Sequence, residues 1–249
     1  MTKKTSLIII SSVAAVVLFL AAFLLGRSSA RQPELPAEAV AAGPVEAPIS
    51  QISVGNADHI WGTGPGGSTY KLDGGTWKRQ TGLNLMVEVG ADGTVWGLSD
   101  QGVPYLWDGK TWARKRGQLQ RIAVGGKKHV WGVDRRGAPR KWTGKDWQKL
   151  RGRLLMVAVG SDGTVWGLRR NREPVRRKGT KWSGVKGPKL LDIAVGNKDQ
   201  VWGIDEDHRV VRLENGKFRV VAEAPKVVDL SVGTDGTVWA VRAIAEVFP

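Results

Sequence analysis

Apolar residues along most of the chain come in short runs bounded by Gly, Asp, Asn or Pro, and no stretch after residue 40 carries a helical spacing. Thr94-Val95-Trp96-Gly97-Leu98 is representative: both alternating faces are apolar or small, which predicts a strand covered on both sides. One run differs. Leu7 to Leu25 holds nineteen residues without a charge. As a helix it would span roughly 28 Å, close to a bilayer's hydrocarbon core. Lys3 and Lys4 precede it, favouring a cytoplasmic N-terminus and an outward C-terminus, while Ser28-Ser29-Ala30 offers small residues for signal cleavage. Residues 1–26 are therefore expected to be a single transmembrane helix or a cleaved signal. Residues 27–40, rich in Ala, Pro, Glu, Ser and Arg, are expected to be a flexible linker.

The remainder, residues 41–249, repeats one motif six times: Val54-Gly55 with Trp61-Gly62, Val89-Gly90 with Trp96-Gly97, Val124-Gly125 with Trp131-Gly132, Val159-Gly160 with Trp166-Gly167, Val195-Gly196 with Trp202-Gly203, and Val232-Gly233 with Trp239-Ala240. The first glycines are spaced 35, 35, 35, 36 and 37 residues apart. A second aromatic follows sixteen residues after the first, at Trp77, Trp112, Trp147, Trp182 and Phe218. With Trp107 and Trp142 at one further equivalent position, all 12 tryptophans belong to the repeat. Trp61, Trp96, Trp131, Trp166, Trp202 and Trp239 are accordingly read as its core, filling the gaps between units, with the following glycine letting the adjacent sheet approach.

Each repeat reads as four short strands. In the third these are Arg121–Val124, His129–Val133, Pro139–Trp142 and Trp147–Leu150. Asp73-Gly74, Asp108-Gly109, Thr143-Gly144 and Asn215-Gly216 join third to fourth strands and accept the positive φ of a tight hairpin. Asp92-Gly93, Asp162-Gly163 and Asp235-Gly236 mark alternate repeats with a weaker period of 70. The expected fold is all-β: a six-bladed β-propeller of four-stranded antiparallel blades, preceded by the transmembrane helix. The last repeat is short of a strand, so Ala42–Glu46 is expected to complete it beside a third strand at Glu246–Phe248.

The alternation of a Val-Gly-Asn-x-Asp-x-Val-Trp-Gly form, as at residues 195–203, with a Val-Gly-x-Asp-Gly-Thr-Val-Trp-Gly form, as at 89–97, followed by an Asp-Gly-x-Thr-Trp hairpin, resembles the tectonin-type β-propeller repeat over about residues 50–249. It departs in the truncated sixth repeat and at Lys178-Gly179. The resemblance implies a six-bladed propeller, often a lectin for bacterial or fungal surface glycans including lipopolysaccharide, and sometimes a protein-interaction platform. It carries no sugar-binding signature that can be placed residue by residue.

Composition narrows the chemistry. There is no cysteine, which removes disulfides, thiol catalysis and thiolate metal sites. The net charge of +15 is localised: residues 110–190 hold 24 Lys and Arg against 4 Asp and Glu, while the rest holds 14 against 19. Strand order places Arg135, Arg136, Arg169, Arg170 and Arg172 on turns between second and third strands. Arg151 and Arg153 fall on connections between blades, which emerge on the same face. Such a patch concentrates anions, and arginine suits bidentate contact with phosphate or carboxylate.

These seven arginines are the candidate ligand-binding residues. The expected function is a membrane-tethered, non-enzymatic, lectin-like module, extracytoplasmic or secreted, that recognises an anionic glycan or a lipopolysaccharide-like or phosphorylated polymer. The alternative is a scaffold that recruits an acidic protein partner to the membrane. Nucleic acid is disfavoured because the basic loops lack stacking aromatics. No cofactor, metal site or catalytic residue is expected. Asp205-Glu206-Asp207 is read as a solvated turn, and His59 and His129 as strand residues with locally satisfied hydrogen bonds.

Overall fold

The computed structural model describes residues 7–11, 18–19, 49–222 and 227–242. It is an all-β propeller. Five repeats each form a four-stranded antiparallel blade with strands in chain order from the axis outward. Their strands are Gln51–Asn56, His59–Thr63, Ser68–Asp73 and Thr76–Leu83; Met86–Val89, Val95–Leu98, Pro104–Trp107 and Trp112–Arg114; Arg121–Gly126, His129–Val133, Pro139–Trp142 and Trp147–Lys149; Met156–Val159, Val165–Leu168, Pro174–Lys178 and Lys181–Gly184; Leu190–Asn197, Gln200–Asp205, Val210–Glu214 and Lys217–Ala222. The sixth repeat contributes the antiparallel pair Val227–Val232 and Val238–Arg242. Innermost strands of successive repeats lie against one another, and Val227–Val232 packs on Gln51–Asn56, so the ring closes.

Two expectations are corrected here. Among the described residues five repeats, not six, make four-stranded antiparallel blades. In the sixth sheet, Leu7–Ser11 runs parallel to Val238–Arg242, pairing Leu7 with Val238 and Ser11 with Arg242, and Leu18–Phe19 pairs on its far side. The start of the long apolar run is thus extended rather than helical, and no helix among the described residues is long and apolar enough to cross a membrane. The physical reason is edge pairing: the N–H and C=O groups along the outer side of Val238–Arg242 need partners, and a Leu-Ile-Ile-Ile run has the β-branched character to supply them. The expected closing segments Ala42–Glu46 and Glu246–Phe248, and the linker at 27–40, lie outside the described residues.

The tryptophans organise the joints between blades. The second-strand Trp of one repeat meets, edge to face, the outer aromatics of the next: Trp61 with Trp107 and Trp112 (ring centroids 5.8 and 6.3 Å), and Trp96 with Trp142 and Trp147 (5.2 and 5.8 Å). Trp239 meets Trp77 across the closure at 6.3 Å. Each such pair is worth about 0.5–1.5 kcal/mol beyond its buried area. In the fourth blade Arg177 takes the place of Trp142 and lies between Trp131 and Trp182, 5.2 and 5.4 Å from the ring centroids.

The glycines act at close approaches, though not all as expected. The glycine after Trp makes room within its own repeat: a Cβ on Gly132 would stand 2.7 Å from Leu119, which leads into that blade's inner strand. The glycine of Val-Gly serves the neighbour. A Cβ on Gly55, Gly125 or Gly196 would come within 2.2 Å of the carbonyl oxygen of Gly90, Gly160 or Gly233.

Candidate binding face and axial channel

An axial channel of about 550 Å³ runs inside the ring of inner strands. Because side chains alternate along a strand, two positions of each inner strand face it. One layer is Gln51, Met86, Arg121, Met156, Asp192 and Asp229; the next is Ser53, Glu88, Ala123, Ala158, Ala194 and Ser231. Neighbouring inner strands share no backbone ladder here, and side chains of this ring satisfy the N–H groups left over. Asp229 Oδ2 accepts from Ile52 N–H (2.7 Å) and Ser231 Oγ from Val54 N–H (2.9 Å). Asp192 Oδ2 accepts from Leu230 N–H (3.2 Å), Gln51 Oε1 from Val87 N–H (3.1 Å), and Ser53 Oγ from Val89 N–H (2.9 Å). Ser53 Oγ also donates to Glu88 Oε2 at 3.0 Å. Ala123, Ala158 and Ala194 offer no such acceptor, so the stitched arc runs from the fifth repeat through the closure to the second.

Three carboxylates thus share the channel with one guanidinium. Burial pushes Asp229 up to about 8, and the neighbouring Asp192 charge adds to the shift. Burial likewise raises Asp192 to about 6 against the N–H donors of Ile193 and Leu230. Glu88 is raised well above its ordinary value by burial and by Asp229, against the Ser53 hydroxyl. Arg121 favours the ionised forms of all three, but its own guanidinium donates to the Gln120 carbonyl at 3.3 Å. These carboxylates are half-buried, open toward the channel lumen that they line. They escaped the sequence reading, although their signal was available: each stands two or four residues before the Val-Gly glycine, at a position where an ordinary core strand would be apolar.

One end of the channel opens on the face that carries the expected arginines. Arg135 lines that mouth together with Ser99, Asp100, Gly102 and Gln120, and its guanidinium donates to Gln101 O at 3.1 Å. Turns and inter-blade connections on this face are tied together by bonds such as Leu119 N–H to Gly102 O and Leu154 N–H to Gly137 O, both 2.8 Å. Arg136 stands beside a second hollow of about 370 Å³ lined by Gln118, Arg140, Trp147 and Lys149. Arg151, Arg153, Arg169 and Arg170 are exposed on the same side of blades three and four. Arg172 is partly committed: it pairs with Glu206 at 3.1 Å and adopts φ 65°, where equivalent turns use Gly67, Gly102 and Gly137. The six core tryptophans Trp61, Trp96, Trp131, Trp166, Trp202 and Trp239 are all buried and present no ring to this face.

The mouth also has an apolar collar. Leu85 (65% exposed) and Val228 (47%) line it, and Leu155 (39%) holds the equivalent position in the fourth blade. At the other end the channel narrows, where the Ser161 and Thr234 hydroxyls meet at 2.7 Å. There Asp92, Asp162 and Asp235 each accept an N–H of the following repeat, from Lys127 (2.8 Å), Lys198 (2.9 Å) and Ala57 (2.9 Å). The period of 70 is therefore structural. Burial raises Asp92 and Asp162, but their backbone donors outweigh it and hold both carboxyls below the ordinary value.

Two minor expectations change. Asp205 is buried rather than solvated, its Oδ1 accepting from Asp207 and Arg209 N–H (3.1 and 2.9 Å) and its Oδ2 from Arg209 Nε (2.8 Å). His59 Nδ1 is buried without a partner, the ring lying over Gly93, so its hydrogen bonding is not locally satisfied. Among the described residues no group of His, Asp and Glu is arranged to hold a metal ion.

The Tectonin domain model matches residues 48–141, and the β-propeller is consistent with a tectonin-type family. No curated protein matches the chain. Similar solved structures include YCF48 bound to D1 peptide, with 13% identity, 90% of this chain and 84% of that one covered, and a TM-score of 0.53. YCF48 from Cyanidioschyzon merolae aligns at 16% identity over 94% and 92% of the two chains, TM-score 0.54. U3-55K aligns at 11% over 74% and 71%, TM-score 0.56. At these identities the likeness is one of fold.

Proposed function

We propose that the protein is a non-enzymatic binding module whose arginine-bearing face docks an acidic polypeptide. The observation that carries this reading is the composition of that face. Leu85, Leu155 and Val228 are exposed on the side that carries Arg135, Arg136, Arg151, Arg153, Arg169 and Arg170. Arginine beside exposed aliphatic side chains is the make-up of a protein-docking surface, with the cations steering and orienting an acidic partner and the apolar groups adding desolvation. Capture of a peptide has a precedent in the fold, since YCF48 is bound to D1 peptide.

An anionic glycan or phosphorylated polymer is the second reading. It is favoured by the hollow lined by Arg135, Arg136 and Lys149 beside Trp147, where Arg140 is already paired with Asp134 at 2.7 Å. A titration with a labelled Glu- and Asp-rich peptide, and in parallel with an acidic polysaccharide, separates the two. Replacing Arg169 and Arg170 with Glu should weaken peptide binding at least tenfold, and raising salt should mimic the loss. Reversing Asp58 and Asp199, exposed on turns of the opposite face, should leave it unchanged. Polysaccharide binding without peptide binding would replace the first reading by the second, and binding of neither would remove both.

A further inference from the structure

We infer that the mouth of the axial channel is a socket for a basic side chain, so that the docked polypeptide carries an arginine or lysine flanked by apolar residues. The inference rests on the proposed docking of a polypeptide at this face and specifies its chemistry. The surface is organised in three concentric zones. The outermost holds Arg136, Arg169 and Arg170. Within it lies the collar, where Leu85 and Val228 rim the opening beside Asp100 and Arg135, and Leu155 stands at the equivalent position. Inside, the walls carry Glu88, Asp192 and Asp229 against the single Arg121. A chain crossing the collar would find aliphatic contact for its apolar residues, acidic depth for one basic side chain, and cationic ground for acidic residues further along.

The occupant follows from charge and shape together. The channel is open at this end and narrowed at the other by Ser161 and Thr234, so it accepts a projecting side chain from one side. The carboxylates exceed the local guanidinium three to one, and the Arg121 side chain donates to Gln120 O rather than forming an ion pair with any of them. A guest cation would relieve repulsion between Asp192 and Asp229, whereas an anion or an apolar side chain would not. Each carboxylate already has a protein donor, which orients it and leaves lone-pair capacity for a guest. The groups facing this guest from all sides are Glu88, Asp192, Asp229 and Arg121, with Asp100 and Arg135 at the rim.

The test uses the full chain and an acetylated, amidated Ser-Leu-Arg-Leu-Ser peptide, compared with the same peptide carrying citrulline in place of arginine. The arginine peptide should bind at least tenfold more tightly, and more tightly at pH 8.5 than at pH 6, because the bound cation favours ionised carboxylates. Asp192→Asn with Asp229→Asn keeps the hydrogen-bond acceptors and should abolish the preference for arginine over citrulline. Should that pair fail to fold, Leu85→Ser with Val228→Ser changes only exposed side chains and should weaken both peptides. Equal binding of the two peptides, binding of neither, or indifference to these substitutions would overturn the socket. The docking proposal fails separately: an acidic peptide that still binds, and still depends on Arg169 and Arg170, would preserve it while the socket is discarded.

Discussion

Asp229 holds the ring closed from the inside: its Oδ2 accepts the Ile52 N–H at 2.7 Å, across the joint between the last repeat and the first. The chain is not continuous at this joint, and among the described residues repeat six contributes one antiparallel pair of strands. Asp229→Ala should leave the buried N–H unanswered, a cost of about 1–3 kcal/mol. At this chain length each kcal/mol lowers the melting temperature by roughly 2–4 °C. Asp229→Asn keeps an acceptor and should be milder, as calorimetry would show.

The same residue gives stability a pH dependence. Burial raises both carboxyls, so the folded protein releases the two protons of the Asp192–Asp229 pair between about 6 and about 8. The unfolded chain releases both near the ordinary value of roughly 3.9. Folding therefore takes up protons between these limits, and the contribution present in acid is lost as pH rises through 6 and then 8. The melting temperature should fall between pH 5 and pH 9, and the fall should be shallower in Asp192→Asn with Asp229→Asn. A slope unchanged in that variant would mean that other groups titrate.

Gly125 tests the approach of inner strands. A Cβ there would sit 2.2 Å from Gly160 O, a backbone atom that cannot move aside alone. Gly125→Ala should destabilise by about 3 kcal/mol, the upper range for overpacking. Gly184 lies in an outer strand with nothing within 4 Å of the corresponding position, so Gly184→Ala should be neutral or mildly stabilising. Denaturant midpoints of the two variants decide the point.

Arg172 occupies a left-handed turn position, φ 65°, that three other repeats give to glycine. Arg172→Gly should be more stable than Arg172→Ala by about 1 kcal/mol, since both remove the exposed pair with Glu206 but only glycine relieves the backbone. If peptide docking nonetheless weakens in both, the strain is retained for the side chain's position on the binding face.

The N-terminal strand is tested by deletion. Leu7–Ser11 covers the open edge of Val238–Arg242. Removing residues 1–26 should lower the melting temperature and promote concentration-dependent association through the bared edge. Equal melting with and without the segment would mean that its pairing adds nothing to the propeller.

The period of 35, the alternating strands, the Asp-Gly hairpins and the core role of every second-strand tryptophan were legible in the amino-acid sequence because they depend on short-range preferences that six copies reinforce. The segregation of arginines to one face followed from strand order alone. What the tertiary structure decided are the meetings between repeats. Asp192 and Asp229 stand in strands of two different repeats, and Glu88 is more than a hundred residues from either; only the curvature of the ring brings their charges into one channel. Asp229 and Ile52 become partners only when the first and last repeats come together, and Leu7–Ser11 finds its partner only in the edge of the distant strand Val238–Arg242. Local propensity fixes a strand and its faces, but it carries no information about which distant strand supplies the other wall. That is settled by closure of the whole ring, where unpaired N–H groups and buried carboxylates must find one another because no other partner is within reach.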